Sequence, residues 1–387
     1  MHLRARRIHI AGSADADTSR KLLGYAHDLV RDLTAALAAA GSTFVAQAGT
    51  EPVGPESGQA ITFDWTVLET AAEVLRAGAT VRRVPAGKLI ASVSTHKTER
   101  QIPNERRALW GELQEAGALR LEYIEGNWTS GALRRERQAQ LGDVLIVISG
   151  GEGVEHLAQL YAAEGKPVIP LDLDIGSSTQ DGHGGGVWLN KEALAHPHEF
   201  FRLADASAGS EHLAAAGTRQ GETPTAVVIT ALLRLIEALL DPEAFYVRLL
   251  NPKVPEYPEV ERFFRGVVDP VVADLGYARA EMGEVVAEEA FMNVEIFKRI
   301  HHSGLVVVDL TGVRANCAME LGYAFGRLKQ VVLTAADGTV LPFDPAAIDT
   351  HLWSRVIEDA QRIEELKRYR ARTAHRPPLV KPRGWHG

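Results

Sequence analysis

Cysteine is nearly absent from this sequence, whose 387 residues include only Cys317. One thiol excludes an intrachain disulfide and a multi-cysteine zinc site, and it favours a reducing compartment. The sequence also lacks an apolar run of the roughly 18 residues that a membrane-spanning helix needs, and it shows no apolar run of signal-peptide length at its start. We therefore expect a cytoplasmic protein with no membrane partner.

Positive charge is not in excess. Asp and Glu number 50 against 42 Lys and Arg, which gives a formal net charge of −8. This balance argues against nucleic acid or an anionic membrane as the main partner. Hydrophobic residues make up 45% and charged residues 24%, an ordinary globular mixture. Since a domain usually takes roughly 150 residues, the length predicts two or three domains.

Short β-branched runs alternate with longer helical patterns in both halves of the sequence. The apolar run 143–148 is typical of a central parallel strand, and residues 64–76 have helical spacing. This alternation predicts an α/β protein with two doubly wound sheets. The expected organisation is a first domain, a linker with a closing helix, a second domain and a flexible tail, over residues 1–208, 209–243, 244–376 and 377–387.

Two glycine-containing turns follow predicted strands of the first domain. They are Gly12-Ser13 and the run Ser149-Gly150-Gly151-Glu152-Gly153. Glycine lets the backbone approach a ligand, and the following helix offers free N–H groups to a phosphate. Both turns are expected at the carboxyl edge of the sheet, where ligands bind. The alternative interpretation is a tight strand-to-helix turn that binds nothing.

Three arginines precede the second of these turns, at positions 134, 135 and 137. Guanidinium groups beside a phosphate loop can hold phosphate with two hydrogen bonds, so Arg134 is a candidate ligand residue. The alternative is a solvated basic face. Because the negative charge of Glu152 would repel a phosphate, this side chain is instead expected to face a ribose hydroxyl.

These turns resemble the SLOG superfamily over roughly residues 5–205. The phosphoribohydrolases of that superfamily carry Gly-Gly-x-Gly-Thr-x-x-Glu with a catalytic Glu, and this sequence has Val154 and Leu157 at the Thr and Glu positions. The resemblance implies a Rossmann-like fold. The missing carboxylate implies a domain that binds a nucleotide signal, as in the STALD sensor group, whose Thoeris members bind cyclic ADP-ribose-type molecules.

A second constellation lies near the end of another buried strand. Asp309 closes that strand, Asn316 is the predicted N-cap of the next helix, and Glu320 follows about one turn into that helix. If the three side chains converge in a cleft, two carboxylates there suit cleavage of an N-glycosidic bond. The alternative is that Asp309 caps a turn and Glu320 is an ordinary surface residue.

Residues 244–350 resemble TIR-like proteins and the nucleoside 2-deoxyribosyltransferases with which these share a topology. The matching strings are Phe291-Met-Asn293-Val294, Leu305-Val-Val-Val-Asp309-Leu-Thr-Gly312 and Cys317-Ala-Met-Glu320-Leu321. The resemblance implies a flavodoxin-like fold, a catalytic Glu320, and Asp309 and Asn316 at the sugar. It also places four residues at the substrate: Tyr246, Arg248, Thr311 and Gly312.

Together the two resemblances imply a signal-gated NAD⁺ glycohydrolase of bacterial anti-phage defence. NAD⁺ is the expected substrate, a small nucleotide the expected signal, and a homo-oligomer the expected assembly; residues 259–275 and 355–372 are candidate contacts. No cofactor or metal is expected, because the pair His301-His302 lacks further ligands, and Cys317 is interpreted as a packing residue. The alternatives are a nucleoside base hydrolase or deoxyribosyltransferase-like enzyme, and a non-catalytic nucleotide-binding regulator.

Overall fold

A computed structural model gives the fold. It describes residues 3, 6–77, 89–126, 130–176, 185–201, 206–218, 221–240, 243–280, 289–312, 315–327, 329–341 and 348–373, with the backbone alone for 206–208 and 289–293. The chain divides into two compact units, the first ending at Leu239 and the second beginning at Leu240. None of the helices in these ranges is both long and apolar enough to cross a membrane.

The described part of the first unit contains six strands that form one parallel sheet in the order β4-β3-β2-β1-β5-β6. They are β1 Arg7–Ser13, β2 Thr43–Ala46, β3 Ile90–Ser94, β4 Leu119–Tyr123, β5 Val144–Ser149 and β6 Val168–Leu171. All six residues of β5 are buried, as the apolar run predicted. The doubly wound α/β prediction is confirmed here.

The helices of the first unit follow the predicted alternation. They are α1 Arg20–Ala39, α2 Asp64–Arg76, α3 His96–Arg100, α4 Asn104–Glu115, α5 Ser130–Leu141, α6 Glu152–Ala163, α7 Gly185–Ala195, α8 Pro197–Phe201, α9 Ala206–Ala215 and α10 Thr225–Leu239. Strand β3 was not predicted. The β-branched pattern of the sequence also predicts a strand at 80–84, a range that lies outside the described residues.

His9 on β1 is buried beside Tyr161. Its Nδ1 lies 3.0 Å from the Tyr161 hydroxyl, which donates at 3.3 Å to the Gln138 carbonyl. Burial lowers the pKa of His9 from 6.5 to about 3. The unfolded chain therefore binds a proton below about pH 6.5 that the native chain does not bind until about pH 3, and stability falls as the pH drops through this interval.

Replacement of His9 by Phe is expected to make the protein less sensitive to acid. Uptake of one proton on unfolding changes the free energy of unfolding by up to about 1.4 kcal/mol per pH unit. The variant lacks the group that takes up this proton, so its stability should depend less on pH. Urea unfolding at about pH 7 and about pH 5 measures the slope. His198→Gln, at an exposed position on α8, is the control. An unchanged slope in His9→Phe would show that His9 titrates normally.

The described part of the second unit contains a five-stranded parallel sheet in the order β11-β10-β9-β7-β8. The strands are β7 Glu243–Val247, β8 Ala278–Arg279, β9 Leu305–Asp309, β10 Gln330–Ala336 and β11 His351–Trp353. Written from the edge strand β8, this order is the flavodoxin-like 2-1-3-4-5. The expected topology of the second domain is therefore confirmed.

The second unit has helices on both faces of this sheet. They are α11 Tyr257–Phe263, a π-helical turn Phe264–Val268, α12 Asp269–Asp274, α13 Glu289–His301, α14 Ala315–Gly326 and α15 Asp359–Thr373. The sequence pattern predicts the first strand of this unit at 246–250, which is too late, because β7 spans Glu243–Val247. Because α14 begins at Ala315, Asn316 lies inside the helix and the expectation that it is the N-cap was wrong.

Two apolar clusters fill the faces of the second sheet. One joins the helical segment 257–274 and α15 to Tyr246, Leu305, Val307 and Trp353. The other joins α14 to Val247, Val306 and Val308. The apolar positions of residues 259–275, proposed above as a subunit contact, are buried in this unit's own core and are not exposed for a second subunit.

Candidate functional site

The first candidate site lies where the chain reverses its direction of winding in the first sheet. Strands β1 and β5 are neighbours, and Gly12 and Ser13 pair in register with Ile148 and Ser149. From β1 the chain winds outward to β4, and from β5 it winds the other way to β6. Ligands of doubly wound proteins bind at the carboxyl edge beside such a switch point. The two predicted turns therefore meet at this edge.

Glycine is needed at this edge because other backbone segments approach it closely. A Cβ on Gly12 would lie 1.9 Å from the Ile148 carbonyl oxygen. Gly176 and Gly186 approach Ser149 in the same way, with hypothetical Cβ atoms 1.9 Å from its Oγ and 2.5 Å from its Cα. Ser149 itself has a φ of 54°, a strained value for a residue with a side chain.

Gly150 continues the turn with a φ of 90°, and Gly151 is the N-cap of α6. Glu152 and Gly153 were expected in the loop, but they form the first turn of the helix, and Glu152 is exposed. Leu157, at the position of the catalytic Glu in the phosphoribohydrolases, is only 4% exposed and packs in the core. The turn therefore offers backbone N–H groups but no carboxylate at that position.

The three arginines differ in their environments. Arg137 donates to Glu122 Oε2 at 2.9 Å and 2.7 Å, and Arg135 Nε donates to His156 Nδ1 at 3.0 Å. Arg134 Nε is buried and has no hydrogen-bond partner among the described residues. Burial lowers the pKa of Arg134. Of the three, Arg134 is the one with a buried guanidinium nitrogen that has no hydrogen-bond partner in the part of the chain that the structure describes.

Asp64 also lies at this edge, and it is not among the predicted site residues. Thr62, two residues earlier, bridges to Ser13, and the Ala14 N–H donates to the Ile61 carbonyl at 2.8 Å. Asp64 Oδ1 accepts from the Gln47 N–H at 2.7 Å. Burial raises the pKa of Asp64 to about 6, and the positive charge of Arg134 acts in the opposite direction. The signal available in the sequence was its position as the first residue of a helix after a strand.

The second candidate site lies at the switch point between β7 and β9. The chain leaves β7 through Arg248 and Leu249 and leaves β9 through a turn at Gly312, whose φ is 66°. A Cβ on Gly312 would lie 3.6 Å from Leu249 Cδ2 and 3.7 Å from Glu256 Oε2. The loop after β7 and the turn after β9 therefore meet at the carboxyl edge of the second sheet.

Arg248 and Tyr246, two of the four predicted substrate residues, are both buried. Arg248 Nη1 donates to Glu261 Oε2 at 2.5 Å, and its guanidinium lies 5.1 Å from the Phe264 ring centre. Burial, and then the negative charge of Asp269, raise the pKa of Tyr246. Arg248 follows the strand end directly, whereas Tyr246 packs in the core beneath the π-helical turn.

Asp309 is 1% exposed and accepts three hydrogen bonds. The Thr311 N–H donates to Oδ1 at 3.0 Å, and the Thr334 hydroxyl and Trp353 Nε1–H donate to Oδ2 at 2.7 Å and 2.9 Å. Burial raises its pKa, and these bonds act in the opposite direction. The hydroxyl of Thr311 is likewise used, because it accepts from the Ala336 N–H at 2.8 Å. Asp309 and Thr311 thus join the ends of β9, β10 and β11.

Glu320 lies on the other side of the sheet from Asp309. Helix α14 packs through Cys317 and Leu321 on the face that carries Val306 and Val308. The Asp309 carboxylate points instead to the face of Trp353. Glu320 is half-buried at the margin of α14's apolar face, and Asn316 is exposed. The expected convergence of Asp309 with Glu320 in one cleft is therefore not found.

Replacement of Asp309 by Asn is expected to destabilise the protein by about 2 kcal/mol or more, because an amide offers one acceptor oxygen to three donors. Thermal unfolding measures this change. Asp337→Asn, at an exposed position just after β10, is the control and should be neutral. A variant with an unchanged melting temperature and lost activity would contradict the structural role and restore a catalytic one.

Cys317 is buried in the apolar cluster on this face, as expected of a packing residue. Within the described part of the chain, no group of three His, Cys, Asp or Glu side chains is arranged to hold a metal ion. The expectation that no metal or cofactor is used stays a prediction. The side chains of residues 291–293, part of the TIR-like resemblance, lie outside those described.

Comparison with known proteins concerns the first unit. Residues 3–224 match the family described as ATP nucleosidase Cap17-like, N-terminal. Two proteins named ATP nucleosidase Cap17, from Escherichia coli and from its strain KTE188, are each 29% identical to the chain over 194 residues. The aligned part is 50% of this chain and 37% of each relative, so the chain spans little more than a third of their length.

The second unit, from Leu240 on, lies outside the family match. The expected assignments to the SLOG superfamily and to the TIR-like proteins therefore stay predictions. The match nevertheless covers residues 3–224 of 387, which is more than half of the chain. The chain belongs to the ATP nucleosidase Cap17-like, N-terminal family.

Proposed function

We propose that this chain is a nucleotide N-glycosidase of bacterial anti-phage defence. Its first unit binds a nucleotide at the β1–β5 edge, and its second unit cleaves the bond between a base and ribose. The observation that carries the proposal is the family match over residues 3–224, because the E. coli proteins that share this region are named ATP nucleosidases. The position of the β1–β5 edge at a switch point supports a binding role for the first unit, because ligands of doubly wound proteins bind at such edges.

A binding role for the first unit is supported by the chemistry of its edge. The turn at Ser149–Gly151 presents backbone to a ligand at the start of α6, and the helix dipole there favours phosphate. Arg134 adds a guanidinium whose Nε donates to none of the described residues. Leu157 cannot stabilise positive charge on a ribose ring or activate water. We therefore assign binding of a nucleotide signal to this edge and catalysis to the second unit.

Glu320 is the residue that we propose for catalysis, with Asn316 and Gly312 at the sugar. Cleavage of an N-glycosidic bond develops positive charge at the anomeric carbon, which a carboxylate can stabilise while water adds and the base departs. Nicotinamide leaves NAD⁺ as a neutral molecule and needs no acid to protonate it. Asp309 faces away from α14 and cannot act as a second carboxylate beside Glu320. We therefore favour NAD⁺ as the substrate, because its cleavage requires one carboxylate and no acid.

Hydrolysis of ATP is the second candidate, and the name of the relatives favours it. Adenine is a poorer leaving group that requires a proton, so this reaction needs an acid as well as Glu320. Glu256 is available for that role at the same edge, since its Oε2 lies 3.7 Å from the position of a Cβ on Gly312. Base exchange on nucleosides and purely regulatory binding complete the set of candidates.

Gating belongs to the same proposal. A cyclic ADP-ribose-type nucleotide bound by the first unit is proposed to switch on the second unit within a homo-oligomer. The activity of the purified protein should then depend on the added nucleotide. Without such a ligand the protein is expected to release little base.

The test is chromatographic measurement of nicotinamide from NAD⁺ and of adenine from ATP. The purified protein is assayed alone and with a panel of cyclic nucleotides and ADP-ribose isomers. Release of nicotinamide that requires one member of the panel supports the signal-gated NAD⁺ glycohydrolase. Release of adenine supports the ATP nucleosidase instead. Release of neither base, with every ligand tried, would contradict the proposed reaction and favour a nucleotide-binding regulator.

A further inference from the structure

We propose that Asp64 and Arg134 hold the ribose and the phosphate of one nucleotide between them at the β1–β5 edge. This inference rests on the proposed nucleotide-binding role of the first unit and adds a residue to it. Asp64 would accept hydrogen bonds from the ribose hydroxyls. Arg134 would donate to a phosphate oxygen.

The chain brings the two residues to the same edge by separate routes. Asp64 begins α2, and the preceding segment is fixed to the end of β1 by the Thr62–Ser13 bridge. Arg134 lies on α5. The neighbouring residue on that helix, Arg135, places its Nη1 3.7 Å from the position that a Cβ on Gly153 would occupy, so this part of α5 lies beside the second turn. The end of β1 pairs with the end of β5, so the carboxylate and the guanidinium flank the two turns.

The two side chains affect each other electrostatically but do not pair. Each charge alters the pKa of the other group. Both residues are described, and the ion pairs within 4.0 Å among the described residues do not include one between them. Oppositely charged groups that are partly buried normally close on each other, because an unpaired buried charge costs free energy. A carboxylate and a guanidinium that do not pair at one edge suit a ligand that brings hydroxyl groups to the first and an anion to the second.

The hydrogen-bonding inventory of the pair fits ribose and phosphate. Asp64 Oδ1 is held by the Gln47 N–H at 2.7 Å, which orients the carboxylate. An ionised carboxylate only accepts hydrogen bonds, and the 2′- and 3′-hydroxyls of ribose donate them. Arg134 only donates, through a buried Nε that has no partner in the described chain, and phosphate only accepts.

Binding of ATP and of 2′-deoxyATP tests the inference by calorimetry on the full chain, with the integrity of each nucleotide checked afterwards. Wild type is expected to prefer ATP by at least about tenfold, the effect of one hydrogen bond to a charged group. Asp64→Asn keeps an oxygen for the Gln47 N–H and should fold, but it should lose this preference. Arg134→Gln should lower the affinity for both nucleotides. Asp28→Asn, on the exposed face of α1, is the control and should change neither affinity.

The outcomes separate this inference from the proposed function. If Asp64→Asn retains the preference for ATP while Arg134→Gln loses affinity, the nucleotide site stands and the role of Asp64 is wrong. If Arg134→Gln binds both nucleotides as wild type does, the nucleotides bind elsewhere, and the inferred role of Asp64 and Arg134 is wrong. If wild type binds neither ATP nor 2′-deoxyATP, the inference that Asp64 and Arg134 hold the ribose and phosphate of such a nucleotide is wrong. Binding of a cyclic ADP-ribose isomer in the same assay would then still support the proposed signal site.

Discussion

Replacement of Glu320 by Gln is expected to lower base release at least about 100-fold, the scale seen when a charge that stabilises a transition state is removed. Glutamine keeps the size of the side chain and an acceptor oxygen, so the packing of α14 through Cys317 and Leu321 should persist. The melting temperature should therefore change little. Initial rates of nicotinamide or adenine release, measured with the activating nucleotide present, give the effect.

The matched control for this experiment is Glu364→Gln. Glu364 lies on α15 with 69% of its side chain exposed, so its substitution removes the same charge from the same unit without touching the edge. Full activity in Glu320→Gln, with the control unchanged, would show that another group carries the reaction. Glu256 is then the next carboxylate to substitute, because it lies beside the Gly312 turn.

The sequence predicted the alternation of strands and helices because each parallel strand is buried on both faces and gives a continuous apolar run. It failed at the two shortest strands of the second sheet and at β3 of the first sheet. Strands β8 and β11 have two and three residues, too few for a periodic pattern. The run Ile-Ala-Ser-Val-Ser of β3 contains two serines, and burial on both faces is decided there by its neighbours in the sheet.

The sequence predicted the position of Asp309 at the end of a strand correctly, but it did not predict which face of the sheet the side chain lies on. It ends β9, as predicted, but side chains alternate along a strand. Leu305 and Val307 face the same cluster as Trp353, and the same period places Asp309 on that face. Helix α14 packs on the opposite face of the sheet. The expected convergence of Asp309 with Glu320 therefore conflicted with the alternation of the strand that carries Asp309.

Asp64 illustrates what local pattern cannot supply. Its helix was predicted with the observed bounds, yet nothing in residues 47–63 indicates that this segment returns to the end of β1. The Thr62–Ser13 bridge and the hydrogen bond from Ala14 to Ile61 make that return, and both join residues far apart in sequence. Contacts of this kind decide which helix start faces a ligand.

Substitution of Gly12 by Ala is expected to destabilise the first unit by about 4 kcal/mol or more, at the upper end for single substitutions. The new Cβ would lie 1.9 Å from the Ile148 carbonyl oxygen and 2.7 Å from its carbonyl carbon. These are backbone atoms of the paired strand, so no side-chain rotation can relieve the overlap. Strands β1 and β5 would have to separate where the two turns meet. Calorimetric unfolding of the full chain measures the loss.

Gly111→Ala is the matched control for this substitution. Gly111 lies within α4, and a Cβ placed on it meets no atom within 4 Å. Alanine there should stabilise the helix by up to about 1 kcal/mol, because glycine loses more backbone entropy on folding. If Gly12→Ala is as stable as Gly111→Ala, the ends of β1 and β5 do not approach as closely as the structure has them. The proposed nucleotide edge would then lack the close backbone contact on which it depends.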